Sequence, residues 1–523
     1  MPGGRSFFEI GREDVKQLAP SIYQSIQRNE IMKIEIVSGS LQKVKTDLLV
    51  VLLDSESELA STDDPQLAEL MERLLRDYAE KKIKKEYFTQ WSTEGVRHLL
   101  VIHSSLDAPY NIWEKVKILS ARALSHARDL NLNSVTFLLN GKDGPTYLGK
   151  IVEGIVLGCY SFDRYKKEKA TYLDDLKVSL LVDRSAVEIC RAKYDRYRIV
   201  SEAVNECRDI VNEPGSVVYP ESLADLSQQI GKTQQLKVSV LDEKALQKGG
   251  YAGLISVGKG SIHPPRLITL EYRAKKSKIQ LALVGKGITF DTGGISIKPS
   301  EKMLEMKGDM AGGAAVLYTM KAIAQLKPEI NVVGIIPSAE NFPDANAQRP
   351  GDIFIAKNGK SVQVDNTNAK GRLVLIDGFA RAEELKATHV VDIATLTGAV
   401  VRALGAGYAG IMGNDQGLIT AVIQAGKNHG ENFWQLPLPD EYKDMLKTPY
   451  ADINNVGGPQ GGAITAGLFL QEFIPENTAW AHLDIAGPFL FDKPWKYYRE
   501  GATGFGVKTF VDLCQHFGML LPS

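Results

Sequence analysis

Residues Ile279–Val316 read IQLALVGKGITFDTGGISIKPSEKMLEMKGDMAGGAAV, and this stretch decides how the rest of the chain is understood. The apolar run Ile279–Val284 has the length of a buried strand and leads directly into Lys286. Asp291 follows, and Gly293 and Gly294 permit a close backbone approach. Lys298 then stands in a loop, and Asp309 precedes a Gly/Ala-rich helix start. Carboxylates in loops after apolar strands are where open α/β sheets place their ligand sites. A plain surface loop would not crowd so many glycines and charges into an otherwise apolar segment.

Around this stretch the α/β rhythm continues. Candidate strands are Val238–Leu241, Leu267–Tyr272, Val332–Ile336 and His389–Ile393, and a helix is expected from about Gly312 to Leu326. Upstream, Leu48–Leu53, Leu99–His103 and Val135–Leu139 read as buried strands, and Glu114–Leu130 and Tyr147–Phe162 as helices. At 523 residues the chain is too long for one core. The charge-dense stretch Asp163–Asp175 (DRYKKEKATYLDD) marks a boundary. The expected fold class is α/β with two domains. A smaller N-terminal α/β domain covers 1–175, with a linker near 163–193. A larger C-terminal α/β/α domain with a mixed, mostly parallel sheet covers 194–523.

Lys and Arg number 62 against 63 Asp and Glu, so bulk charge gives no sign of a nucleic-acid partner. No apolar run is long enough to span a bilayer, and Met1–Ile10 (MPGGRSFFEI) lacks the features of a targeting segment. Cys159, Cys190, Cys207 and Cys514 are scattered and read as reduced thiols, so the cytoplasm is the expected compartment. Gly253–Gly260 (GLISVGKG) nearly matches a phosphate-binding loop, but Gly260 replaces the hydroxyl residue, and a glycine-rich turn is expected instead. His482, within an apolar run, is expected to be a hydrogen-bonded core histidine.

Further segments share the pattern: Asn366–Leu373 (NTNAKGRL), Asp392–Val400 (DIATLTGAV), Gly461–Gly467 (GGAITAG) and Trp480–Gly487 (WAHLDIAG). Together with VGKGITFDTGG and MKGDM, and in this order, they closely resemble the leucine aminopeptidase (cytosol aminopeptidase) family. The resemblance implies a catalytic C-terminal domain that releases N-terminal residues from peptides with two divalent metals, Zn or Mn. It implies Lys286, Asp291 and Asp309 as metal ligands and Lys298 as the group that steadies the carbonyl oxygen. It further implies Arg372 as the holder of a bicarbonate, and Met306, Thr395 and Gly398 as the lining of the substrate pocket. A homo-hexamer of two stacked trimers is also implied. Nucleic-acid binding, known for some members, finds no support in the charge.

The chain departs from the family at two ligand positions. Where the family signature reads NTDAEGRL, this sequence has Asn368 for the Asp and Lys370 for the Glu. An intact site sets four carboxylates against two dications, whereas Asp291 and Asp309 supply only two. A protonated Lys370 would add a positive charge on the spot, repelling a second dication by several kcal/mol. The sequence therefore predicts one metal or none, with the Lys370 ammonium pairing with Asp291 or Asp309. Peptidase activity is expected to be weakened or lost; the alternative is an inactive structural or binding subunit.

Overall fold

The computed structural model describes residues 32–521, apart from 94, 108–109, 169–174, 275–276 and 278. Two sheets organise it. The first has six strands in the order Ile34–Ser38, Lys177–Val182, Ser134–Leu138, Thr46–Leu53, Val96–His103, Tyr87–Thr93. Only the last pair is antiparallel. Leu48 to Val51 are fully buried because helices cover both faces. Ile112–Asp129 and Gly144–Gly158 pack on one face, and Pro65–Ala79 on the other. The last of these begins on a side-chain cap, Asp64 accepting from the Leu67 amide at 2.9 Å, with Pro65 in its first turn.

The second sheet is mixed and has nine strands. Its order is Asn432–Gln435, Tyr408–Gly413, Ala479–Asp484, His389–Ala394, Gln280–Gly285, Asn331–Asn341, Arg266–Tyr272, Lys237–Leu241, with Gly287–Asp291 also pairing with Asn331–Asn341. The four central strands, Ala479–Asp484 to Asn331–Asn341, run parallel. One face is covered by Ala311–Leu326, Val507–Leu520 and part of Val187–Asn212, the other by Lys370–Glu384 and Gly462–Gln471. The result is an α/β/α sandwich whose parallel strands end together on one side.

Two expectations are corrected here. The strand Lys177–Val182 lies beyond the boundary drawn at 175, yet it pairs on both sides within the first sheet. The following helix Val187–Asn212 then serves both layers: Cys190 packs into the first core and Val200 to Val211 into the second. Gly253–Gly260, expected as a turn, is mostly the short helix Ala252–Gly258. A Cβ on Gly253 would stand 2.0 Å from the Leu373 carbonyl oxygen, and Asp377 accepts from the Leu254 amide at 2.7 Å. Close packing and a buried cap thus override the poor helix propensity of the glycines.

The two halves meet through a buried polar network. Glu153 is the hub. Its carboxylate receives Lys117 at 3.3 Å, Lys508 at 3.1 Å and Lys150 at 3.4 Å. Lys117 and Lys508 also donate to the His429 carbonyl, at 2.9 and 3.2 Å. Nearby, Asp512 accepts from Asn428 at 3.0 Å and lies 3.3 Å from both Arg196 and the His429 ring. Burial would raise the Asp512 carboxyl, but His429, Asn428 and His516 outweigh it and pull the pKa down to about 2. A depressed folded-state pKa gives stability that is present above the unfolded value and lost as pH falls toward the folded one. Lowering the pH from 5 to about 2 should therefore remove about 2 kcal/mol that Asp512→Asn no longer has to lose. Urea midpoints of both proteins across that window check this.

Among the described residues no helix is long and apolar enough to cross a membrane, and all four cysteines are free.

Candidate active site

The site forms where the parallel strands of the second sheet end. Lys286 directly follows the strand Gln280–Gly285, and Asp291 ends Gly287–Asp291. Asp309 caps the 3₁₀ turn Met303–Gly308, and Thr395 follows His389–Ala394. Lys370 opens the helix Lys370–Glu384, directly after the 3₁₀ turn Thr367–Ala369 that carries Asn368. Small residues let these pieces converge. A Cβ on Gly371 would sit 2.8 Å from Lys286 Cε, and one on Gly312 would sit 2.1 Å from the Ile393 carbonyl oxygen.

Two carboxylates meet three ammonium groups here. Lys370 Nζ makes a short contact with Asp291 Oδ2 and lies 3.2 Å from Asp309 Oδ2, so it bridges the two carboxylates. Lys298 Nζ stands 2.8 Å from the same Asp291 oxygen. Lys286 Nζ donates to Asp309 Oδ1 at 2.6 Å and also to the Thr395 carbonyl. The Thr395 hydroxyl donates to Asp309 Oδ1 at 2.8 Å. The remaining Asp291 oxygen accepts from Asn341 Nδ2 and from the Gly293 amide, both at 2.9 Å.

Burial decides the strength of these contacts. Lys286 and Asp291 are at most 1% exposed, Lys370 4% and Asp309 5%. Burial would raise the Asp291 carboxyl, but Lys370 and then Lys298 hold it well below the usual carboxylate range. Burial works against the Lys370 ammonium, yet Asp291 and Asp309 more than offset it and raise its pKa. Lys286 goes the other way: burial brings it down to about 8, with Asp309 opposing and the Lys370 charge assisting. Lys370 is thus more firmly charged than Lys286.

The remaining expected residues place no side chain within this cluster. Arg372 is buried and donates through Nη1 to the Asn455 carbonyl at 2.7 Å, while its Nε meets no protein acceptor among the described residues. Asn368 touches the cluster only through its carbonyl, 3.4 Å from Lys370 Nζ, and its own buried Oδ1 is unpartnered among the described residues. Met306 joins through its backbone, accepting the Asp309 amide at 3.2 Å. Gly398 opens the helix Gly398–Leu404, whose preceding residues Leu396 and Thr397 are held by Asp484. His482 is fully buried with Nδ1 2.6 Å from Asp392, as expected of a core histidine.

Sequence reasoning missed Asn341, which also donates to the Thr367 carbonyl at 3.1 Å and so ties Asp291 to the Asn366–Leu373 segment. Its signal was an amide at the carboxyl end of a strand that opens on the apolar run Val332–Ile336. It missed Asn455 as well, which lies on no recognisable motif.

These donors do not fit a pair of divalent ions. Every carboxylate oxygen at the centre already faces an ammonium, a hydroxyl or an amide. Among the described residues no three His, Cys, Asp or Glu side chains gather to hold a metal.

Comparison with known proteins sets this centre in context. The model of the cytosol aminopeptidase family, catalytic domain, matches residues 205–511. A probable cytosol aminopeptidase of Streptomyces avermitilis is 40% identical over 492 residues, covering 92% of this chain and 95% of that protein. Another from Persephonella marina is 46% identical over 363 residues, covering 69% of this chain and 73% of its own length. Among solved structures, the bottromycin maturation enzyme BotP superposes with a TM-score of 0.78 at 28% identity, covering 91% of this chain and 100% of that chain. A second structure of that enzyme, with Mn, gives 0.77 at 29% identity and covers 90% and 99%. It carries a divalent metal of the kind the motifs imply. By sequence and by fold, this chain belongs to the cytosol aminopeptidase family.

Proposed function

We propose that this chain keeps the aminopeptidase scaffold while its capacity to release N-terminal residues from peptides is weakened or lost. One observation carries the reading: Lys370 Nζ bridges Asp291 and Asp309 from within the cluster. A fixed, buried ammonium there neutralises the two carboxylates that a metal would need. A second dication would face it across a few ångströms of low-dielectric interior. The centre accordingly takes one divalent ion, Zn or Mn, or none.

What remains could still bind a peptide. Lys298 retains a position from which an ammonium can polarise a carbonyl oxygen. The free Arg372 N–H suits an oxyanion such as bicarbonate, and Thr395 stays beside Asp309. A catalytically inactive structural or binding subunit is therefore the second reading. Assembly as a homo-hexamer belongs to the same proposal. A cytosolic location is supported by the free cysteines and by the relatives' designation as cytosol aminopeptidases. Nucleic-acid binding draws no support from a formal net charge of −1.

The test is hydrolysis of a leucyl-amide by the purified full chain with Mn²⁺ or Zn²⁺. Turnover should fall several powers of ten short of a peptidase with four ligand carboxylates, or be absent. Rates typical of enzymes, about 1–10³ per second, would refute the proposal.

A further inference from the structure

A cavity of about 240 Å³ opens in the N-terminal half, far in the chain from the site above. It lies at the carboxyl end of Thr46–Leu53, the strand between Ser134–Leu138 and Val96–His103. The chain leaves Thr46–Leu53 toward helix Pro65–Ala79 on one face, and leaves Ser134–Leu138 toward Gly144–Gly158 on the other. Connections that diverge in this way open a crevice beyond the strand ends, the position at which open α/β sheets bind ligands.

The walls are fixed. The loop after Thr46–Leu53 is joined to the loop after Ser134–Leu138 by Asp143 N to Glu58 O at 2.9 Å, and by Glu58 N to Asp143 Oδ2 at 2.8 Å. Gly141 N to Leu59 O adds 3.2 Å, and Ser61 N to Asn140 Oδ1 adds 3.1 Å. A Cβ on Gly141 would come within 2.3 Å of the Glu58 carbonyl oxygen, so glycine is needed for this approach. Ser57 Oγ and the Tyr147 hydroxyl, 3.0 Å apart, hold the loop from behind.

The lining carries charge of both signs over an apolar floor. Asp54, Glu56 and Glu58 come from one loop and Lys142 from the other, while Leu52, Met71 and Leu75 supply hydrocarbon. Among the described residues Glu56, Glu58 and Lys142 make no ion pair, so carboxylate and ammonium both stand available to a ligand. The volume corresponds to about eight water molecules, below the range of drug-sized pockets. A small molecule bearing both an ammonium and a carboxylate, with an apolar branch, matches all three features. We propose that this crevice is a binding site for a free α-amino acid with an aliphatic side chain, its ammonium on the Asp54–Glu58 loop and its carboxylate on Lys142.

The peptidase centre would attract the same class of molecule, so the test must separate the two places. Calorimetric titration of the full chain with L-leucine should give saturable binding. 4-Methylpentanoate, which lacks the ammonium, and 3-methylbutylamine, which lacks the carboxylate, should each bind at least about tenfold more weakly. The exposed substitutions Lys142→Glu and Glu56→Lys should abolish leucine binding, and Lys298→Ala in the other site should leave it intact. Absence of saturable heat up to about 10 mM would overturn the proposal. So would binding that survives Lys142→Glu but disappears with Lys298→Ala. Either result leaves the reading of the catalytic centre untouched.

Discussion

The double substitution Asn368→Asp, Lys370→Glu is expected to convert a centre proposed to take one metal or none into one that takes two. It should also raise kcat/KM on a leucyl-amide by at least about a thousandfold, or about 4 kcal/mol of transition-state stabilisation. Charge drives both changes. Removing the Lys370 ammonium frees Asp309 Oδ2 and leaves Asp291 Oδ2 facing Lys298 alone. The new Glu and Asp bring the carboxylate count from two to four, which balances two dications. On the proposed reading, Lys298 and Arg372 would then serve the chemistry and Thr395 the substrate pocket. The single change Lys370→Glu should produce most of the metal binding, because it reverses the charge at the bridging position. Asn368→Asp alone should do little, since the ammonium would still stand between the carboxylates. If metal loads and activity does not follow, the defect lies in the positioning of Lys298 or Arg372.

The second large effect is expected at the junction of the two halves. Glu153→Gln leaves Lys117 with Glu114, 2.7 Å away, and takes from Lys150 and Lys508 the one carboxylate each pairs with among the described residues. All three lysines are at most 4% exposed, so the lost charge cannot be replaced by water without opening the interface. Breaking one side of such a buried network costs about 3–5 kcal/mol. Denaturant midpoints should show it. Adding Lys150→Met to Glu153→Gln should recover part of the loss, because it removes one of the stranded charges. A coupling of about 1 kcal/mol or more between the two sites is expected, whereas simple additivity would mean the residues act independently.

Much of this was legible in the sequence because strand ends and function coincide. Lys286, Asp291 and Asp309 stand just beyond apolar runs or before a Gly/Ala-rich helix start, and the structure brings all three together. The charge conflict at Lys370 was also visible. Sequence left open whether its partner was Asp291 or Asp309, and the geometry gives both, because the helix opening at Lys370 points its first side chain between them. What stayed hidden depends on long-range packing. The strand Lys177–Val182 is short and follows a charge-dense stretch, so its apolar residues gave too weak a pattern. Asn341 lies 50 positions from Asp291, and only the pairing of their two strands brings amide to carboxylate. The Glu153 hub joins residues 355 positions apart and carries no local pattern.

The central claim is that the Lys370 ammonium stands in place of metal, and metal stoichiometry tests it most directly. The full chain would be incubated with Mn²⁺ or Zn²⁺, passed through a desalting column and analysed for metal by mass spectrometry. The structure predicts one tightly held ion per chain or none, with two appearing only in the Asn368→Asp, Lys370→Glu variant. Two tightly bound ions per wild-type chain would contradict it.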